Sequence, residues 1–189
     1  MRTIAIMNQK GGVGKTTTAV NLAAALAEHD QRVCLIDLDP QAHASLHLGL
    51  PADDNLPSIY DVLVEDAAID DVRKEIGDNL MIVPSSLDLA AAELELAGQV
   101  GRETLLREKL QQDKEIFDFI LIDCPPSLGL LTLSAMAAAS EVFLPLQPHF
   151  LALHGMSKLL GTIEAVAQSL NDALRLTGVV ICMNEAGTK

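Results

Sequence analysis

The chain has 189 residues, of which 49% are hydrophobic and only 3% aromatic, and its formal net charge at neutral pH is −13. This length and composition predict a single domain with an aliphatic core. The 13 basic residues are scattered along the chain, so its negative charge disfavours binding to nucleic acid or to an anionic membrane.

The cysteines and the apolar stretches bear on where the protein resides. Cys34, Cys124 and Cys182 are far apart, which matches neither a disulfide framework nor a zinc motif and favours a reducing compartment. The first apolar run ends at Asn8, too short for a signal peptide, and the apolar stretch 127–140 is too short to span a bilayer. These features predict a soluble cytoplasmic protein that does not bind membranes.

Apolar runs of strand length alternate with helical patterns along the chain. The predicted strands cover residues 3–7, 33–36, 80–83, 119–122, 142–146 and 178–183. The predicted helices cover residues 16–28, 59–64, 87–97, 103–112, 128–139 and 156–170. Most strand runs are continuously hydrophobic, which is typical of parallel strands buried on both faces. The alternation predicts a doubly wound α/β fold with a mostly parallel sheet over residues 1–189.

The segment between the first strand and the first helix has the composition of a phosphate-binding loop. Residues 9–18 read QKGGVGKTTT. Glycines let successive backbone N–H groups point at a phosphate, and the following helix adds its positive N-terminal end. In such a loop Lys15 binds the β- and γ-phosphates and the Thr16 hydroxyl binds Mg²⁺. The strict P-loop pattern is not met, because Gln9 replaces the first glycine and a second lysine, Lys10, precedes the glycines.

Carboxylates follow two of the predicted strands. Asp37 and Asp39 come after strand 33–36, and Asp123 comes after strand 119–122. Doubly wound sheets bind ligands at the carboxyl ends of their strands, so we expect these side chains near the phosphate-binding loop. An aspartate that ends a buried strand beside such a loop holds Mg²⁺, usually through water. The alternative is that Asp123 only caps the turn before the next helix.

Two further patterns carry weaker signals. His43 and His47 have the spacing that places two side chains on one helical face, but the sequence supplies no third zinc ligand, so we predict exposed histidines. Residues 87–96 carry Leu and Ala at helical spacing, which predicts a core-facing helix rather than an interface.

Together the motifs resemble the ParA/MinD family of deviant-Walker ATPases, a class that includes the nitrogenase iron protein, and most closely its ParA-type (Soj-like) partition branch. The matching segments are NQKGGVGKTTT at 8–18, DLDPQ at 37–41 and DCPPSLGLLTL at 123–133. Residues 144–148 resemble the family's P-x-Q segment, and 153–155 resemble its L-E-G with His154 in place of Glu. The resemblance implies a Mg²⁺-dependent ATPase that forms an ATP-sandwich homodimer and acts as a slow switch in positioning DNA or another large cargo.

The resemblance also implies roles for individual residues. Catalysis falls to Lys10, which reaches the partner's phosphates across the dimer, to Lys15, and to Asp39, which orients or activates the attacking water. The nucleotide-binding residues are Gly11, Gly12, Val13, Gly14, Lys15, Thr16, Thr17 and Pro125. The magnesium-binding residues are Thr16, Asp37 and Asp123. Residues 125–129 correspond to the switch that senses the γ-phosphate.

The implied partners are ATP, a second copy of the chain and a stimulating ParB-like adaptor protein. Family members usually continue beyond the length of this chain, so we expect a C-terminal part with basic DNA-contacting residues to be missing. With the acidic composition, this predicts weak DNA binding with a shallow salt dependence. We expect a cytoplasmic protein that associates with the nucleoid only if DNA binding is retained.

Two other functions share this fold. A redox ATPase like the nitrogenase iron protein needs two cysteines per subunit at the dimer axis to hold an iron–sulfur cluster. Cys34 and Cys182 are predicted in buried strands and Cys124 in the switch, so the sequence predicts no suitable pair. The second of these alternatives is a nucleotide-dependent regulatory module with little hydrolysis.

Overall fold

The structure is a computed structural model that describes residues 1–51, 56–148 and 152–184, with the backbone alone for 152–155. Within these residues the strands are β1 Arg2–Ile6, β2 Val33–Asp37, β3 Lys74–Gly77, β4 Leu80–Val83, β5 Phe119–Asp123, β6 Glu141–Leu146 and β7 Arg175–Ile181. The α-helices are α1 Lys15–Glu28, α2 His43–His47, α3 Ile59–Leu63, α4 Ile69–Val72, α5 Ala92–Glu95, α6 Leu105–Gln112, α7 Leu130–Ala138 and α8 Ala152–Ser169. Short 3₁₀ turns cover Leu87–Ala90 and Arg102–Thr104.

The strands form one sheet in the order β3-β4-β2-β5-β1-β6-β7. All neighbouring strands are parallel except β3, which runs antiparallel to β4. The predicted doubly wound, mostly parallel α/β fold is therefore confirmed. In register, Asp123 of β5 lies beside Ile6 of β1 and Asp37 of β2. The carboxyl ends of these three strands therefore meet at one edge of the sheet.

Two apolar layers cover the two faces of the sheet. Ile4 and Ile6 of β1 pack with Ala19 and Ala23 of α1 in one layer, whereas Ala5 of β1 lies in the other layer. Successive side chains of a strand point to opposite faces, so each central strand supplies both layers. This burial explains why the strand sequences read as continuous hydrophobic runs.

The prediction of a core-facing helix at 87–97 is wrong in part. It is broken into the 3₁₀ turn Leu87–Ala90 and the short helix α5. Leu89 and Leu96 are buried, but Leu87 is 55% exposed and Leu94 is 82% exposed. A 3₁₀ turn has about 3.0 residues per turn against about 3.6 in an α-helix, so the break shifts the directions of the following side chains.

The structure also corrects the last predicted strand. β7 begins before the predicted range 178–183, and its residues Val179 and Ile181 are 48% and 55% exposed. It is the outermost strand of the described sheet on that side, so β6 is its only strand neighbour there. The sequence missed β3, α2 and α4, which are short, and β3 and α4 also carry charged residues.

Across the described ranges, no helix combines the length and the apolar character that crossing a membrane requires. The His154 side chain of the segment 153–155 lies outside the described residues.

Candidate functional site

The loop between β1 and α1 takes a conformation that requires glycine. Gly12 has φ +72° and Gly14 has φ +91°, values in the left-handed region that side chains disfavour. Gly14 directly precedes α1, so the loop leads straight into the positive end of a 14-residue helix. Asn8 holds the loop to β6, because its Nδ2 donates to the Pro145 carbonyl at 2.7 Å and its Oδ1 accepts from the Lys10 backbone N–H at 3.0 Å.

A cleft of about 510 Å³ opens over this loop. It is lined by Gly11, Gly12, Gly14, Lys15, Thr16, Thr17, Asp39, Gln41, His43, His47, Pro126 and Met183. The structure thus brings most of the predicted nucleotide-binding residues together with the predicted water-orienting residue Asp39. A glycine loop, a helix N-terminus and a lysine together make a site suited to phosphate.

Two predicted binding residues lie outside this lining. Val13 is 1% exposed and belongs to the core. Pro125 is buried, and its neighbour Pro126 faces the cleft instead. The nucleotide-binding roles of Val13 and Pro125 stay predictions.

The two loop lysines occupy different environments. Lys15 is the first residue of α1, lines the cleft and is only 7% exposed. Lys10 lies on the exposed part of the loop. Lys15 is therefore placed to act within its own cleft, whereas Lys10 is accessible from outside the molecule.

Asp123 is the strongest indication of a cation at this edge of the sheet. It is fully buried, and neither carboxylate oxygen has a hydrogen-bond partner among the described residues. Burial raises its pKa to about 7, and Asp37 and Asp39 add to the shift, while the nearby Thr16 hydroxyl and Lys15 oppose it. A buried carboxylate without a partner is costly. Together with the Thr16 hydroxyl, it offers the oxygen ligands that Mg²⁺ prefers.

Asp37 has its own partners. Its Oδ2 accepts from the Ser45 backbone N–H at 2.8 Å and from the Ser45 hydroxyl at 2.7 Å, and its Oδ1 accepts from the Asp39 N–H at 3.3 Å. Burial raises its pKa to about 6, and the Ser45 hydrogen bonds oppose that shift. The carboxylate thus anchors the turn into α2, and its predicted role at magnesium stays a prediction.

The buried Asp123 carboxylate should make the free energy of unfolding of the ligand-free protein depend on pH. The pKa of Asp123 is about 7 when folded and 3.8 ordinarily, so the folded state retains a proton that the unfolded state releases. Stability should therefore fall as pH rises through this window. We expect Asp123→Asn to remove a pH-dependent loss on the order of a few kcal/mol.

The measurement is urea unfolding with a chelator present, at about pH 5 and about pH 7.5, on either side of the midpoint of the shift. Asp78→Asn is the matched control, because Asp78 is exposed and far from this edge of the sheet. Parallel pH profiles for the wild type and Asp123→Asn would contradict the assigned environment of Asp123.

Sequence reasoning missed several contacts of the site. The Ser45 hydroxyl, besides holding Asp37, accepts the Ser85 N–H at 3.0 Å. Cys182 follows β7 and is half-buried, not inside a buried strand as predicted. Its Sγ lies 3.3 Å from where a Cβ on Gly14 would sit and 3.9 Å from the Thr18 hydroxyl. No local pattern signals these contacts, since they join distant parts of the chain.

Comparisons with known proteins agree with this geometry. Residues 1–176 match a family model described as an AAA domain. The chain is 47% identical to the sporulation initiation inhibitor protein Soj of Bacillus subtilis, over 98% of this chain and 74% of that protein. It is 46% identical to the chromosome-partitioning ATPase Soj of Treponema pallidum, over 100% of this chain and 74% of that protein.

A solved structure is also similar over the whole chain. Cobyrinic acid a,c-diamide synthase from Mycobacterium smegmatis, with a bound ATP analogue and magnesium, has a TM-score of 0.94 at 41% identity. The match covers 100% of this chain and 77% of that chain.

Proposed function

The chain belongs to the ParA/Soj family of P-loop ATPases, and from that premise we propose a magnesium-dependent ATPase that pairs around ATP and switches slowly. In this proposal it partitions or positions DNA or another large cargo. The observation that carries the proposal is the single cleft that joins Lys15 and Thr16 to Asp39. The first experiment is phosphate release from ATP with and without Mg²⁺, and hydrolysis without Mg²⁺ at the same rate would contradict the proposal.

The residues at the cleft have different roles in phosphoryl transfer. The N–H groups of the glycine loop bind the phosphates, and Lys15 sets its ammonium on the β- and γ-phosphate oxygens. Thr16 and Asp123 would hold magnesium, and Asp37, which lies beside Asp123 on the adjacent strand, would support the magnesium shell. When bound, magnesium neutralises the charge on the phosphate oxygens. The solved structure with an ATP analogue and magnesium supports both ligands for this site.

Asp39 is the residue that handles the attacking water. Its side chain lines the cleft, and its Oδ1 accepts the Gln41 N–H at 3.0 Å, which fixes the orientation of the carboxylate. A carboxylate held in this way orients a water, and can take its proton, without displacing the phosphates.

Asp39→Ala should bind ATP but fail to hydrolyse it, so ATP-bound dimers should accumulate. We expect size-exclusion chromatography with light scattering to show a dimer with Mg²⁺ and ATP, and a monomer without nucleotide. Asp78→Ala is the matched control, because its carboxylate is exposed outside the cleft. An Asp39→Ala protein that stays monomeric in saturating ATP would contradict the water-orienting role.

Lys10 acts across the dimer in this proposal. It is exposed beside Gly11 and Gly12, and a Cβ added at either glycine would meet nothing within 4 Å. Gly11 also lacks the positive φ that would itself require glycine. Neither packing nor backbone conformation within the chain therefore requires a glycine at position 11. This supports a close approach of a second copy of the chain at that position. A lysine supplied by a second copy would stabilise the transition state as an arginine finger does.

The proposed partners are a second copy of the chain and a ParB-like adaptor that stimulates hydrolysis in the cytoplasm. The acidic composition supports only weak, nonspecific DNA binding. The alternative, a regulatory module with little hydrolysis, would show the same low rate of phosphate release with and without an adaptor.

A second candidate function follows from the name of the Mycobacterium smegmatis protein, which is that of an amide synthase. The relatives named for sporulation control and chromosome partitioning are more similar in sequence, at 47% and 46% identity against 41%. They favour the partition ATPase. ATP consumption that depends on added cobyrinic acid and a nitrogen donor would favour the second candidate instead.

A further inference from the structure

We propose that His43 and His47 form a titratable wall of the nucleotide cleft and bind the phosphates of the nucleotide when protonated. The proposal rests on the proposed function, because it takes the ligand of the cleft to be a polyphosphate. It adds a pH dependence of nucleotide affinity, since histidine ordinarily changes charge between about pH 5 and pH 8.

The fold places both imidazoles at the cleft. Ala42 has φ +52° in the left-handed region, and this turn begins α2 at His43. Side chains four residues apart lie on the same helical face. Both histidines are exposed and line the same cleft as Lys15 and Thr16. The sequence alone predicted two exposed histidines, and the cleft gives their position a chemical consequence.

One ring nitrogen of His47 is already committed. Its Nδ1 lies 2.9 Å from the His43 carbonyl oxygen, a contact in which the nitrogen donates. The nitrogen left for a ligand is Nε2. When Nε2 gains a proton, it becomes a charged donor of the kind that binds phosphate oxygens strongly, and when it is neutral it is an acceptor that repels them.

Among the residues that the structure describes, few charged groups lie near the two imidazoles. In the cleft, the charged side chains beside the imidazoles are Lys15 and Asp39. Of the elements packed against α2, α1 carries charge only at its ends, Lys15 and Glu28, and β2 carries its cysteine and Asp37, whose carboxylate is turned to Ser45. A bound polyphosphate would therefore be the largest negative charge facing the two rings.

A zinc site would need at least one protein ligand beyond this pair of histidines. No group of three His, Cys, Asp or Glu side chains suited to a metal ion occurs in the part of the chain that the structure describes. When both imidazoles are protonated, their charged N–H donors are suited to an anion such as phosphate.

The test compares His43→Gln/His47→Gln with the wild type. Glutamine keeps a polar side chain of similar reach but cannot become charged. Calorimetry would measure the binding of a non-hydrolysable ATP analogue with Mg²⁺ at about pH 6 and about pH 8. Wild-type affinity should rise on acidification by about 3- to 10-fold more than that of the variant. The difference should shrink in high salt.

His29→Gln is the matched control, because His29 is exposed at the far end of α1 from the loop. It should keep the wild-type pH response. Protonation of the nucleotide itself affects all three proteins equally, so the comparison isolates the imidazoles. The same pH response in the wild type and the double variant, or an affinity lowered by the same factor at both pH values, would overturn the inference alone. Absence of nucleotide binding by the wild type at both pH values would overturn the proposed function as well.

Discussion

Replacing Lys10 with alanine should lower ATP hydrolysis by about 100-fold or more while leaving ATP affinity within about threefold of the wild type. The physical reason is the separation of the two loop lysines. Lys10 is exposed outside the cleft, whereas Lys15 lines it and is 7% exposed. In the proposed dimer the Lys10 amine meets the partner's phosphates only after pairing, so its loss removes charge stabilisation from the transition state and little from the first binding step.

Two measurements separate binding from chemistry for Lys10→Ala. Calorimetry with a non-hydrolysable analogue gives the affinity, and phosphate release at saturating ATP gives the turnover. Lys114→Ala is the matched control, since Lys114 is an exposed lysine outside the cleft. Unchanged turnover in Lys10→Ala would remove the lysine from the mechanism.

Lys15→Ala should instead lose nucleotide affinity by about 100-fold or more, because charge-assisted contacts to phosphate are among the strongest polar interactions. The loss has a second source in this cleft. Asp39 and Asp123 lie on the same side of the sheet, and without the Lys15 ammonium their carboxylates would repel the phosphates with less compensation. The effect is therefore expected mainly in binding.

Equilibrium titration with a fluorescent ATP analogue measures the loss for Lys15→Ala, and circular dichroism checks that the variant is folded. Lys10→Ala serves as the matched lysine variant in the same titration. An affinity for Lys15→Ala within about threefold of the wild type, in a folded protein, would contradict the role assigned to Lys15.

The central part of the fold was predictable because strands buried on both faces need apolar residues, and a run of apolar residues is visible in the sequence. β2, β4 and β5 are buried on both faces, so their residues are nearly all apolar and their range could be predicted to within a residue or two. β3 could not be predicted in this way. It is a short, half-exposed strand with two charged residues, and its pairing with β4 depends on the rest of the sheet.

The site was predictable where the motif and the topology act together. The glycine loop and the strand-end carboxylates meet because a doubly wound sheet gathers the carboxyl ends of its strands. The contact of Cys182 with Thr18 at the start of α1 was not predictable, since the two residues are 164 positions apart in the sequence. The position of His43 was equally hidden, because it depends on the left-handed turn at Ala42, a conformation that alanine rarely adopts.

Mixing two inactive variants tests the trans-acting lysine most directly. In a mixed dimer of Lys10→Ala and Asp39→Ala, the Lys10→Ala subunit keeps its own Asp39 and receives an intact Lys10 from its partner. One pocket of that dimer is then complete. We expect an equimolar mixture to recover about a quarter of the wild-type hydrolysis rate, since half of randomly formed dimers are mixed and each has one working site. If the mixture hydrolyses ATP no faster than the average of the two variants alone, Lys10 does not act across the dimer and the account is contradicted.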